Sequence, residues 1–81
     1  MVGRIVCSKA GSDKGSFLVV LNYENGRVMV ADGKRYKIFS PKAKNPKHLA
    51  LTERTLKSDE YLTDKQLRKT LAVFAAKQSK E

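Results

Sequence analysis

Glycine spacing constrains this chain more than any other feature. Gly11–Ser–Asp–Lys–Gly15, Asn25–Gly26 and Asp32–Gly33 punctuate the first 48 residues, and glycine is where a chain turns at low steric cost. Between them lie residues 2–7, rich in Val and Ile, and residues 17–24, where Phe17, Val19, Leu21 and Tyr23 share one face. Such runs read as strands. Asn25–Gly26 predicts a two-residue hairpin, because both positions tolerate positive φ. That turn sets Glu24 opposite Arg27, a favourable cross-strand pair. Short strands joined by glycine turns imply a small β-barrel.

Period-two consistency extends the pattern. A two-residue turn at Asp32–Gly33 would set Val30 opposite Arg35 and Val28 opposite Lys37. A three-residue loop, Ala31–Asp32–Gly33 with Gly33 left-handed, instead pairs Val30 with Lys34 and Val28 with Tyr36. Tyr36 and Ile38 then join Val19, Leu21, Val28 and Val30 on one face. Leu18, Val20 and Met29 lie on the other, which is too apolar to be wholly solvated. Residues 40–47 hold both prolines, each biasing its predecessor away from helix, and read as an extended basic loop. A closing strand is expected at 48–52 and a connection at 53–62. Thr63–Asp–Lys–Gln66 is a capping box, and Leu67, Leu71 and Phe74 recur at helical spacing. The helix is expected from Asp64 to about Lys77, covering Leu18, Val20 and Met29.

Charge is uneven along this frame. The 81 residues carry 17 Lys+Arg and 8 Asp+Glu, a net +9. Residues 1–48 hold ten cations and three anions, and residues 49–81 hold seven and five, so +7 and +2 respectively. Local positive charge of this size implies attraction to phosphates or to an acidic surface.

The same residues resemble a known family. Gly3–Arg–Ile–Val–Cys–Ser–Lys–Ala–Gly–Ser–Asp–Lys–Gly15, followed by an apolar strand, resembles the KOW motif. Val30–Ala–Asp–Gly–Lys34, Pro41–Lys–Ala–Lys–Asn–Pro–Lys–His48 and Tyr61–Leu–Thr–Asp–Lys–Gln–Leu–Arg–Lys69 are similar to bacterial KOW-domain proteins related to archaeal and eukaryotic large-subunit ribosomal proteins. The resemblance spans nearly the whole chain. It implies a mostly-β fold, a five-stranded SH3-like barrel over residues 1–52, with a linker and C-terminal helix over 53–81 packed on or beside it. It also implies RNA binding, usually to ribosomal RNA, although KOW domains contact proteins as well.

Candidate RNA-binding residues follow from the two readings together. In the first loop, Gly11 and Gly15 would let backbone amides approach a phosphate, with Lys9, Ser12 and Lys14 beside them. Lys42, Lys44, Lys47 and His48 form the strongest purely physical signal, three lysines spaced along a proline-stiffened loop that can follow a nucleic-acid backbone, with His48 as a packing or hydrogen-bonding residue. Arg35 and Lys37 share an outward face with Phe39, which is expected to pack under the helix or the Pro41 loop; Tyr23 and Tyr36 are expected in the core.

Other chemistries find less support. One Cys and one His make no metal site by themselves, Cys7 reads as a small apolar strand residue, and Asp13 and Asp32 are explained by turn chemistry. No enzyme activity and no cofactor are expected. The longest apolar run, residues 17–21, is too short to span a bilayer. With no signal-peptide pattern and one cysteine, the expectation is a cytoplasmic protein, monomeric when free. Its expected partner is RNA, ribosomal above all, with ribosomal proteins or translation factors as further partners. The alternative is a protein-interaction barrel that docks a translation or transcription factor through Leu18, Met29 or Phe39.

Overall fold

The computed structural model describes residues 2–78. Five strands, β1 (Arg4–Ser8), β2 (Phe17–Glu24), β3 (Arg27–Ala31), β4 (Lys42–Lys44) and β5 (Leu49–Thr55), form one antiparallel sheet in the order β4-β3-β2-β1-β5. A C-terminal helix, α1 (Asp64–Gln78), follows. The fold is mostly β, in the manner of a small SH3-like barrel with a helix appended. Among the described residues no helix is long and apolar enough to cross a membrane.

The curl of the sheet follows from one short connection. β4 and β5 are its two edges, yet only residues 45–48 join them, and Pro46–His48 winds as a 3-10 turn. Edges of a flat five-stranded sheet would lie roughly 19 Å apart, whereas a 3-10 turn advances only about 2 Å per residue. The sheet must therefore curl until its edges approach. The sequence supplies the turn locally: the Asn45 side chain accepts a hydrogen bond from the Lys47 amide, and Pro46 takes the first position.

Alternation along the strands separates two cores. Val6, Leu18, Val20, Val28 and Val30 form one, with Tyr36 and Leu49 packed against it. Ile5, Val19 and Ala31 face the other way and join Leu56, Leu67 and Leu71, with Phe17, Leu21, Ile38, Tyr61 and Phe74 alongside. The helix thus covers the Val19 face and not, as the sequence pattern predicted, the face of Leu18, Val20 and Met29. The Asn25–Gly26 hairpin itself is as expected, with both residues at positive φ and Glu24 opposite Arg27. The difference arises farther along, where the register slips between Val20 and Asn22, so that Val20 pairs with Val30 and Val19 with Ala31. This bulge at Leu21 moves the valines of β3 to the face of Leu18 and Val20, because one extra residue inverts a period of two.

The expected pairing of Lys34 and Tyr36 with Val30 and Val28 does not form. Gly33 is left-handed as expected (φ +77°), but the Asp32 carboxylate accepts hydrogen bonds from the amides of both Lys34 and Tyr36 at 2.9 Å. Those bonds fold the chain into an excursion rather than a hairpin. β3 takes its partner from later in the sequence, with Val28 opposite Lys44 and Val30 opposite Lys42. Part of the expected basic loop is therefore a strand. β1 begins at Arg4 rather than Val2, because Gly3 turns at φ +88° while its amide donates to the Val20 carbonyl. β5 runs on to Thr55.

α1 begins and ends close to its expected bounds. Thr63 Oγ1 accepts from the Gln66 amide at 3.1 Å, the first half of a capping box. The Gln66 side chain reaches past Thr63 to the Leu62 amide and the Asp59 carbonyl, tying the helix start to the preceding turn. Phe74 meets Phe17 edge to face, with ring centroids 5.0 Å apart, an arrangement favoured by the ring quadrupoles.

Gly33 fixes where the excursion meets the helix. A Cβ there would collide with the Asp64 carbonyl oxygen, whereas one at Gly26 (φ +76°) would meet open space. Gly26→Ala should therefore cost about 1–2 kcal/mol, the ordinary price of a left-handed residue, and Gly33→Ala clearly more. Urea unfolding of both variants compares them directly.

Candidate nucleic-acid interface

Three connections meet near Ser8. They are the loop after β1 (9–16), the excursion after β3 (32–41) and the 3-10 turn before β5, which leaves β4 opposite Val28 and reaches Ser8 at its His48 end. Backbone bonds shape each and begin to join them. The amides of Ser8 and Gly15 pair with the carbonyls of Ser16 and Ser8, closing the first loop, and the Lys9 amide donates to the His48 carbonyl at 2.8 Å.

A buried ion pair completes the union. Lys44 Nζ lies 2.7 Å from Asp13 Oδ1, with side-chain exposures of 10% and 3%. The ammonium also donates to Ser8 Oγ and to the Ala10 carbonyl, so each of its three protons has an acceptor. Asp13 is equally occupied, accepting from Ser8 Oγ at Oδ1 and from the Tyr36 hydroxyl at Oδ2, 2.9 Å away. The Tyr36 ring packs on the valine core, so one side chain joins that core to the polar hub. Asp13 thereby links β1, its following loop, β4 and the excursion. At the surface, Arg35 donates to Ser12 Oγ at 3.4 Å, a looser contact between the same two connections.

Burial acts on the Asp13 carboxyl to raise its pKa, but hydrogen bonds from Lys44, Ser8 and Tyr36, with the Lys44 charge, outweigh it. The result is a pKa lowered from 3.8 to about 2. At the opposite end of β1, Glu60 is also held below the ordinary range, chiefly by the Lys57 amide, against burial and with help from the Arg54 charge. Its bonds to Lys57 and Arg54 secure the approach to α1.

The expected site residues divide accordingly. Lys9, Gly11, Ser12, Lys14, Gly15, Arg35, Lys37, Lys42, Lys47 and His48 are all exposed, on the three connections or, for Lys42, on the strand leaving the excursion. Lys44 is corrected: its ammonium is buried and committed to Asp13, so it is an internal clamp rather than a surface cation. The Gly15 amide is likewise already spent on Ser8. Asp13 has a larger part than turn chemistry, because it receives the clamp. Phe39, expected to be covered, is 93% exposed, and Tyr23, expected in the core, is about half exposed. Leu18, offered as a docking residue, is fully buried.

Electrostatically, this end is one-sided. Exposed cations stand at Lys9, Lys14, Lys34, Arg35, Lys37, Lys42 and Lys47. Of the three nearby acids, Asp13 is paired with Lys44, while Asp32 and Asp64 accept from backbone amides, so the exposed cations stay in excess. Such a surface attracts polyanions over a Debye length. No protein-family model and no curated protein matches the chain.

Removing one member of a buried pair strands the other, at about 3–5 kcal/mol. Asp13→Asn should lower stability by that order at neutral pH in urea unfolding. Because the folded pKa is depressed, the ionised Asp13 contributes stability that is present above pH 3.8 and lost as pH falls through about 2. The gap between the parent and Asp13→Asn should narrow over that window.

Proposed function

We propose that this protein is an RNA-binding module of the KOW kind, cytoplasmic and ribosome-associated, that docks on structured ribosomal RNA without catalysis. The observation that carries this reading is the joining of three cation-bearing connections: the Asp13–Lys44 clamp ties the first loop to β4 and the excursion, and the Lys9 amide ties that loop to the turn before β5. A preorganised set of charges loses little entropy on binding. Its cations come from separate segments, a geometry suited to the shape of a folded backbone rather than to one base sequence.

The mechanism is electrostatic docking with release of counterions. Lys9, Lys14, Arg35, Lys42 and Lys47 face phosphates, and the exposed Gly11 and Ser12 leave room for a backbone to come close. About five phosphate contacts imply that log affinity falls with log salt at a slope near −3.5 to −4.5. The resemblance to bacterial KOW-domain proteins directs the choice of polyanion to ribosomal RNA.

Salt titration of RNA binding tests the reading. The triple variant Lys9→Ala, Lys14→Ala, Lys42→Ala should bind more weakly and flatten the slope by about 2. Lys57→Ala with Lys77→Ala, beside Arg54 and Glu60 on another side of the barrel, should change neither. An equal effect from both sets would reduce the attraction to net charge, and binding that survives high salt would favour a protein partner.

A further inference from the structure

Phe39 is the feature that electrostatic docking leaves unexplained. Of the three phenylalanines, Phe17 and Phe74 pack together against the helix-side core, while Phe39 is 93% exposed. A single exposed apolar residue is unremarkable in itself, but this one is held firmly on both sides. The Ser40 amide donates to the Lys37 carbonyl at 3.0 Å, closing a tight turn with Phe39 as its third residue. Ile38, just before it, packs into the helix-side core, and its amide donates to Asp64 Oδ1 at 2.8 Å. Pro41 follows, with its φ fixed by the ring. An aromatic ring is thus carried outward on a backbone with little slack.

Its neighbours complete the picture. Lys37 lies two residues before it, within roughly 7 Å along the chain, and Arg35 and Lys42 lie four before and three after; all three are exposed. An exposed ring with cations before and after it in the chain has the composition of a nucleotide seat, with the ring for a base and the ammonium and guanidinium groups for the flanking phosphates. It is poorly suited to the surface of a continuous duplex, whose bases are stacked on one another.

We propose that Phe39 stacks on an unpaired nucleotide of the bound RNA, with Lys37 and Arg35 on the adjoining phosphates. This rests on the RNA-binding reading and narrows its target to an RNA carrying a bulged or looped base. Phe39 reads accessibility of a base rather than its identity, because every base offers a π-face.

Two loopless RNA duplexes of the same sequence, each annealed from two strands, one with a single bulged 2-aminopurine and one fully paired, test this with the full chain. Phe39→Ala should weaken binding to the bulged duplex by about 5- to 150-fold, leave the paired duplex unchanged and keep the salt slope. Phe39→Trp should retain affinity, with quenching of both the Trp and the 2-aminopurine fluorescence on binding. Unchanged affinity of Phe39→Ala for the bulged duplex, or an equal loss on both, overturns the stacking role while leaving phosphate docking intact. Failure of the parent protein to bind either duplex overturns the RNA reading along with it.

Discussion

The contact between Lys44 and Asp13 organises this molecule. A lysine on the core-facing side of a short edge strand is an unfavourable choice unless a carboxylate meets it, because an isolated buried ammonium is strongly destabilising. Here the carboxylate comes from a glycine loop 31 positions earlier in the chain, and Ser8 and Tyr36 complete both coordination shells. Such a pair need not add net stability compared with an apolar substitute. Its consequence is geometric: one register of β4, one conformation of the first loop and one path for the excursion satisfy every polar group together. Among the described residues no buried side-chain nitrogen or oxygen lacks a partner.

The same clamp separates structural charge from surface charge. Without it, Lys44 would add to the basic loops and Asp13 would subtract from them. With it, both vanish from the surface as a neutral pair, and the cations that remain outward outnumber Asp32 and Asp64, the acids left beside them. The helix acts from another side. By burying Leu67 and Leu71 against Ile5 and Val19 and binding Ile38 through Asp64, it steadies the turn that presents Phe39. Packing on one face of the sheet thus prepares a surface at its end, as is common where loops on a rigid scaffold carry function.

Much of the frame was legible in the chain. Asn25–Gly26 announced its hairpin because few residue pairs accept that backbone geometry, and Thr63 announced the helix because a capping hydroxyl acts locally. The errors have a common origin. The bulge at Leu21 leaves no composition signal, yet it exchanges the faces of β3. Asp32 could cap a tight hairpin or gather two later amides, and only the second choice lets β3 reach Lys42 and Lys44. The site was legible as a set of cationic connections and illegible in its detail: nothing local to Lys44 distinguishes it from Lys42, which is exposed, and nothing local to Phe39 says that no side chain will cover it.

The sequence by itself determined where this chain turns, where its helix begins and which half carries the positive charge, since each depends on residues within a few positions of one another. Tertiary structure alone decided which lysine became internal, which face the helix covers and which aromatic stayed outside. Those outcomes depend on partners far apart in the chain, and a charge or an apolar ring acquires its role only from what the fold brings next to it.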